Sequence, residues 1–115
     1  MTDLARVEGE SSRGAHVVRV TGEVDLSNAR GLLDTISRAV PGDAGLVVLD
    51  LSHTTYLDSA GIAMIFRLGE RLHYSRQELR LVVPVESPIR AVVELTNVRH
   101  VIPVMDALVE AQELD

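Results

Sequence analysis

The sequence contains no cysteine, no tryptophan and no lysine. Stability therefore cannot come from disulfides, so a hydrophobic core has to supply it. A chain of 115 residues, 46% of them hydrophobic, buries roughly two thirds of its unfolded surface and is expected to form one domain. The same density of valine, leucine and isoleucine excludes an intrinsically disordered chain.

Long hydrophobic runs are also missing. No segment approaches the roughly 18 uninterrupted apolar residues of a membrane-spanning helix, and Met1-Thr2-Asp3 lacks the basic start of a signal peptide. We therefore expect a cytoplasmic protein with no membrane partner.

Positive charge and aromatic side chains are scarce. The sequence has eleven arginines and seventeen acidic residues, which gives a net charge of −6. Its only aromatic residues are Tyr56, Phe66 and Tyr74. A nucleic-acid surface needs clustered basic residues or stacking platforms, so no nucleic-acid partner is expected. Small size and like charge predict a monomer when the protein is free.

The spacing of the hydrophobic residues changes along the chain between a pattern typical of strands and one typical of helices. Continuous apolar or alternating runs predict strands at residues 16–20, 46–51, 79–83 and 101–104, the last an edge strand because of Pro103. Apolar residues spaced by three and four predict helices at 29–40 and 62–72, and shorter helices follow Pro88 and Asp106. We expect Asp25 or Ser27 to cap the first helix, and Ser87 and Asp106 to cap the last two.

Strands that alternate with helices predict an α/β domain with a mainly parallel sheet of about four to five strands and about four helices. Residues 1–14 are polar and are expected to form an N-terminal strand or hairpin that belongs to the domain, with 15–115 as its main part.

Chemistry is most plausible between residues 49 and 61, where a buried strand runs into a polar loop and then a helix. Ligands and partners usually bind at this carboxyl edge of an α/β sheet. Asp58 or Ser59 caps the helix, and the Ser59 hydroxyl lies in the first turn, where a phosphate is readily accepted. An Asp-Ser pair in this position is usually only a cap. Gly61 costs helix stability, up to ~1 kcal/mol against alanine, which indicates a close approach to the backbone.

Three stretches together resemble the STAS domains of anti-sigma factor antagonists. These are Leu57-Asp58-Ser59-Ala60-Gly61 with the strand before it, Gly22-Glu23-Val24-Asp25, and the ending at residues 101–111. The resemblance covers essentially the whole chain, in order and at the expected spacing. It implies a single STAS-like domain.

The resemblance also implies a function. In that family an anti-sigma factor that is also a serine kinase phosphorylates the serine of the Asp-Ser-Ala-Gly core, which is Ser59 here. The unphosphorylated protein binds this kinase and frees the sigma factor, and a PP2C-type phosphatase restores the active form. The implied contact surface comprises residues 55–64 and the turn at 25–28, with Asp25, Ser27, Asn28, Thr55, Tyr56, Asp58, Ser59, Ala60, Gly61 and Met64 as partner-binding residues. No cofactor is implied.

Other functions stay open. A catalytic Ser59 needs a nearby base and a glycine two residues upstream, where Leu57 stands, so no enzyme is expected and no catalytic residue is assigned. The four histidines show no metal-ligand spacing. Nucleotide binding lacks a glycine-rich loop and a lysine. STAS domains also serve as interaction modules of stress-sensing, transporter and lipid-trafficking complexes, and this is the main alternative.

Overall fold

A computed structural model describes residues 4–112, which form six strands and four helices. The strands are β1 (Ala5–Ser12), β2 (Ala15–Val24), β3 (Leu46–Asp50), β4 (Thr54–Leu57), β5 (Glu78–Val82) and β6 (Val104–Met105). The helices are α1 (Ala29–Ala39), α2 (Ser59–Tyr74), α3 (Arg90–Leu95) and α4 (Leu108–Ala111), with a 3₁₀ turn at Val98–His100. The predicted α/β class and mainly parallel sheet are confirmed, and Met1 to Asp3 of the predicted N-terminal strand or hairpin lie outside the described residues.

The sheet runs in the order β1-β2-β3-β5-β6. Among the described strands only the β1–β2 hairpin is antiparallel, whereas β2–β3, β3–β5 and β5–β6 are parallel. Parallel neighbours need crossover connections, and α1, α2 and α3 lie in these connections. The carboxyl ends of the parallel strands therefore share one edge of the sheet.

Strand β2 is longer than the sequence predicts. The turn signal at Thr21 and Gly22 predicts its end there, yet the strand continues to Val24, with a shift in register between Gly22 and Glu23. Gly22 has a φ of +109°, and a Cβ there would lie 2.2 Å from the carbonyl oxygen of Leu4, so the bulge requires glycine. Strand β2 pairs with β3 along its first half and with β4 from Gly22 onward.

Strand β4 lies where the sequence predicts a loop, because its residues are mostly polar. Its pairing with the end of β2 overrides that local pattern. Thr54 is buried, and its hydroxyl donates to the carbonyl oxygen of Val20 at 2.8 Å, which satisfies the one polar group the strand buries there. Strand β6 is shorter than predicted, since only Val104–Met105 pairs with β5.

The main core lies between one face of the sheet and the helices α1 and α2. It contains Val18 and Leu49 of the sheet, Leu33 and Ile36 of α1, and Ile65 of α2. A smaller cluster on the other face includes Val17, Val48 and Ala111, the last from α4. Strand β3 is buried on both faces, as expected for a central parallel strand.

Three predicted helix caps are wrong. The N-cap of α3 is Ile89 rather than Ser87, whose hydroxyl oxygen accepts the backbone N–H of Ile89 at 3.2 Å. The residue before α1 is Asn28 rather than Asp25 or Ser27, and α4 follows Ala107 rather than Asp106, whose carboxylate instead pairs with Arg90 at 2.8 Å. Within residues 4–112 no helix has the length and apolar character needed to cross a bilayer.

Candidate functional site

The ends of two neighbouring strands bring the candidate residues together. Because β2 and β4 are parallel and pair through Val24 and Leu57, the segments that follow both strands start at the same edge. The backbone N–H of Asp58 donates to the carbonyl oxygen of Val24 at 3.3 Å. The turn at 25–28 and the first turn of α2 are therefore neighbours, although they are far apart in sequence.

Asp58 is the N-cap of α2. Its Oδ1 accepts hydrogen bonds from the backbone N–H groups of Ala60 at 2.9 Å and Gly61 at 3.1 Å. Its Oδ2 accepts from the backbone N–H of Leu26 at 3.2 Å. The carboxylate thus satisfies two of the free donors of the helix and holds the 25–28 turn against it.

Ser59 is the first residue of α2 and is exposed. Its hydroxyl makes no hydrogen bond to the residues that the structure describes. The positive end of the helix dipole lies beside it. The Ser59 hydroxyl is therefore accessible at the surface while the helix stays folded.

The turn at 25–28 is fixed by its own side chains. Asn28 Oδ1 accepts from the backbone N–H of Asp25 at 2.9 Å, and its Nδ2 donates to the carbonyl oxygen of Glu23 at 2.8 Å. The hydroxyl of Ser27 and then its backbone N–H donate to the carboxylate of Asp25. These hydrogen bonds hold the pKa of Asp25 below its ordinary value.

Gly61 is close to the protein's own core. A Cβ at this position would lie 2.3 Å from Cδ1 of Leu57 and 3.1 Å from Cγ1 of Val24. The close approach that the glycine predicts is therefore made by the buried ends of β2 and β4. This contact packs the first turn of α2 tightly against the sheet.

The partner-binding residues taken from the resemblance are exposed, partly buried or buried. Thr55, Ser59, Ser27 and the half-exposed Tyr56 reach the surface, and Asp25, Asn28, Asp58 and Ala60 are partly buried. Tyr56 is 49% exposed, whereas its neighbour Leu57 is buried. Met64 and Gly61 are buried, with Met64 only 3% exposed. A partner therefore meets Met64 only at the floor of a depression.

Such a depression lies between α1 and α2, and sequence reasoning missed it. It has a volume of about 490 Å³ and extends from Ala60 and Met64 to Leu26, Arg30 and Arg67. Leu26 is 82% exposed and forms the outer part of the lining of this depression. Its position between Asp25 and Ser27 was the only available signal.

Metal ligands do not cluster in the described part of the chain: no three histidine, cysteine or carboxylate side chains come together there. His16, His53, His73 and His100 make no hydrogen bond to Ser59 in residues 4–112. The site therefore consists of a capped helix start, an exposed hydroxyl, a rigid turn and an adjoining groove.

Comparison with known proteins gives one family and several similar folds. A family model described as Mlab, STAS domain, matches residues 8–110. An anti-sigma factor antagonist from Mycobacterium paratuberculosis is 26% identical, with a TM-score of 0.77 over 93% of this chain and 90% of that chain. The anti-sigma factor antagonist SpoIIAA in its unphosphorylated form is 19% identical, with a TM-score of 0.69 over 92% of each chain. The Bacillus cell fate determinant SpoIIAA in its phosphorylated form is 20% identical, with a TM-score of 0.60 over 92% of this chain and 96% of that chain.

Proposed function

Since this chain belongs to the STAS domain family, we propose that it is an anti-sigma factor antagonist whose partner binding is switched by phosphorylation of Ser59. The unphosphorylated form binds an anti-sigma factor serine kinase and so releases a sigma factor. Phosphorylation of Ser59 ends that binding, and a PP2C-type phosphatase reverses it. The protein acts in the cytoplasm as a binding partner and catalyses no reaction itself.

The position of Ser59 carries this proposal. The hydroxyl is exposed on the first residue of α2, and Asp58 beside it fixes both the helix start and the turn at 25–28. A hydroxyl on a rigid, accessible surface suits a protein kinase. The same surface suits a partner that must be released when that hydroxyl is modified.

The electrostatic energies expected for a phosphoryl group at Ser59 favour a switch in binding rather than in folding. A phosphoryl group adds about −1.5 to −2 charges next to Asp58. Repulsion from a carboxylate ~5 Å away is roughly 1–3 kcal/mol per charge pair at effective dielectrics of 80 to 20. The dipole of α2 offsets about 0.3–2 kcal/mol of it. In an interface the phosphate must also lose its water, which costs several kcal/mol unless it is paired.

Two variants of Ser59 test the proposal. We expect Ser59→Ala to retain a small ATP-binding kinase from a lysate of the native host, identified by mass spectrometry, and Ser59→Asp to lose it. The purified kinase with ATP should then add one phosphoryl group to the wild type and none to Ser59→Ala.

Ser75 gives a matched control, because it is the exposed residue at the other end of the same helix. Ser75→Ala and Ser75→Asp should both retain the kinase. If Ser59→Asp binds the kinase as tightly as the wild type does, the proposed switch is wrong.

A second candidate is a STAS-type interaction module of a stress-sensing, transporter or lipid-trafficking complex. The observation that favours it is the name Mlab carried by the matching family model. In that case Ser59→Ala and Ser59→Asp would recover the same complex subunit, and Ser59 would be part of a helix start with no regulatory role.

A further inference from the structure

The groove between α1 and α2 combines an apolar floor with an apolar rim. Leu33 from α1 and Met64 from α2 are buried at its floor, Ala63 lines its side, and Leu26 projects from the rim with 82% of its surface exposed. A volume of about 490 Å³ can accommodate one large side chain together with its neighbours on a peptide. Leu26 extends the apolar lining of the groove to the surface, so the groove suits an apolar side chain of a ligand.

The rim of the groove is positively charged. Arg30 from α1 and Arg67 from α2 both line it, and both are exposed. Neither makes an ion pair or a side-chain hydrogen bond with any of residues 4–112. By contrast, Arg71, one turn further along α2, pairs with Asp34. The protein as a whole has a net charge of −6, but the two unpaired guanidinium groups make this groove locally positive. That local charge favours an acidic ligand.

We infer that this groove binds an acidic segment of a partner protein, with one large apolar side chain of that segment inserted between Leu26, Leu33 and Met64. Carboxylates on both sides of the inserted side chain pair with Arg30 and Arg67. The groove adjoins the phosphorylation site, since Asp58 holds the backbone of Leu26 and Ala60 lines the same space. For the identity of the partner, an anti-sigma factor, the inference rests on the proposed function.

A second copy of this chain is a poorer occupant. In a two-fold symmetric dimer the same groove would face itself, so Arg30 and Arg67 of one copy would lie opposite those of the other. Such a pairing of like charges is unfavourable and leaves all four guanidinium groups unpaired.

The two internal methionines allow a direct test. Met64 lies at the floor of the groove, whereas Met105 packs against the cluster on the opposite face of the sheet. We would label the methionine methyl groups with ¹³C and titrate the protein with helical peptides that carry Leu, Phe or Met at one central position and glutamates around it. The matched peptides carry lysines in place of the glutamates.

We expect the glutamate peptides to shift the Met64 signal in a saturable manner and to leave the Met105 signal unchanged. Their affinity should exceed that of the lysine peptides by about tenfold or more, because two charge pairs form in one case and two repulsions in the other. The double variant Arg30→Glu/Arg67→Glu should reverse this preference.

Arg38→Glu is the matched control, since Arg38 is an exposed residue of α1 that does not line the groove. It should leave the peptide preference unchanged. Three results would overturn the inference: no peptide shifts Met64, both classes of peptide bind equally well, or the Met64 signal depends on protein concentration alone, which indicates a second copy.

The peptide titration does not involve Ser59, so it separates this inference from the proposed function. If the peptides bind as expected while Ser59→Ala and Ser59→Asp behave alike in the kinase capture, the groove is a binding site and the phosphorylation switch is wrong. If the capture succeeds and no peptide reaches Met64, the switch holds and the groove assignment fails.

Discussion

One carboxylate, that of Asp58, connects the helix start to Leu26, a residue 32 positions earlier in the chain. Oδ1 caps α2 through Ala60 and Gly61, while Oδ2 accepts the backbone N–H of Leu26 at 3.2 Å. The backbone of Leu26 is thereby held against the start of α2. A change at Asp58 should therefore affect both the start of α2 and the turn at 25–28, because both segments donate hydrogen bonds to its carboxylate.

Replacing Asp58 tests this connection. Asp58→Ala should lower the free energy of unfolding by about 1–2 kcal/mol, because it removes an N-cap and a hydrogen bond to a second segment. Chemical denaturation measures this loss, and faster hydrogen exchange of the Leu26 amide locates it. Asp43→Ala, in the exposed loop after α1, should change stability by less than about 0.5 kcal/mol. Equal effects of the two variants would contradict the connection.

Gly61 should not tolerate a methyl group. Gly61→Ala gains up to about 1 kcal/mol in helix propensity, but its Cβ meets Leu57 at 2.3 Å in a packed core. Overpacking costs about 1–3 kcal/mol, so we expect a net loss of stability in thermal or chemical unfolding. At Gly31 in α1 a Cβ would meet nothing within 4 Å, so Gly31→Ala should be neutral or stabilising. A stabilised Gly61→Ala would show that Leu57 moves aside freely.

The helices and strands that the sequence predicts correctly are recognisable from the spacing of apolar residues within their own segments. Strand β3 lies in a nearly continuous apolar run, and α2 has apolar residues at every third or fourth position. Strand β4 has no such signal: its first residue, Thr54, is polar yet buried, and its hydroxyl donates to the carbonyl oxygen of Val20, 34 positions earlier. The pairing that forms β4 is made by the far end of β2, and no local pattern encodes it.

The candidate site was predictable only where its residues are neighbours in the sequence. Asp58 and Ser59 adjoin each other in the sequence, so the cap and the exposed hydroxyl could be anticipated. The groove could not, because Arg30 and Arg67 become neighbours only when α1 packs on α2. Met64, which the resemblance assigns to the partner-binding surface, is buried at the floor of the groove.

A negative charge at Ser59 should leave the fold intact. We expect Ser59→Asp to change the free energy of unfolding by less than about 1 kcal/mol, because the dipole of α2 offsets the repulsion from Asp58. Ser59→Lys reverses the sign of both effects, since the dipole disfavours the positive charge and the Asp58 carboxylate attracts it, so this variant should also change the free energy of unfolding by less than about 1 kcal/mol. Added salt should weaken both effects. Global unfolding of Ser59→Asp would mean that any loss of binding reflects lost structure.

The acidity of Asp25 should depend on Ser27. The hydroxyl and backbone N–H of Ser27 stabilise the charged form of this carboxylate and lower its pKa. A carboxyl group with a lowered pKa in the folded state contributes stability above its unfolded pKa, and loses that contribution as the pH falls through the lowered value. Ser27→Ala should therefore raise the pKa of Asp25 toward its ordinary value, as measured by ¹³C titration of the carboxyl carbon. Ser75→Ala, remote from the turn, should leave that titration unchanged. An unaltered Asp25 titration in Ser27→Ala would mean that the Ser27 hydroxyl does not stabilise the charged form of the Asp25 carboxylate.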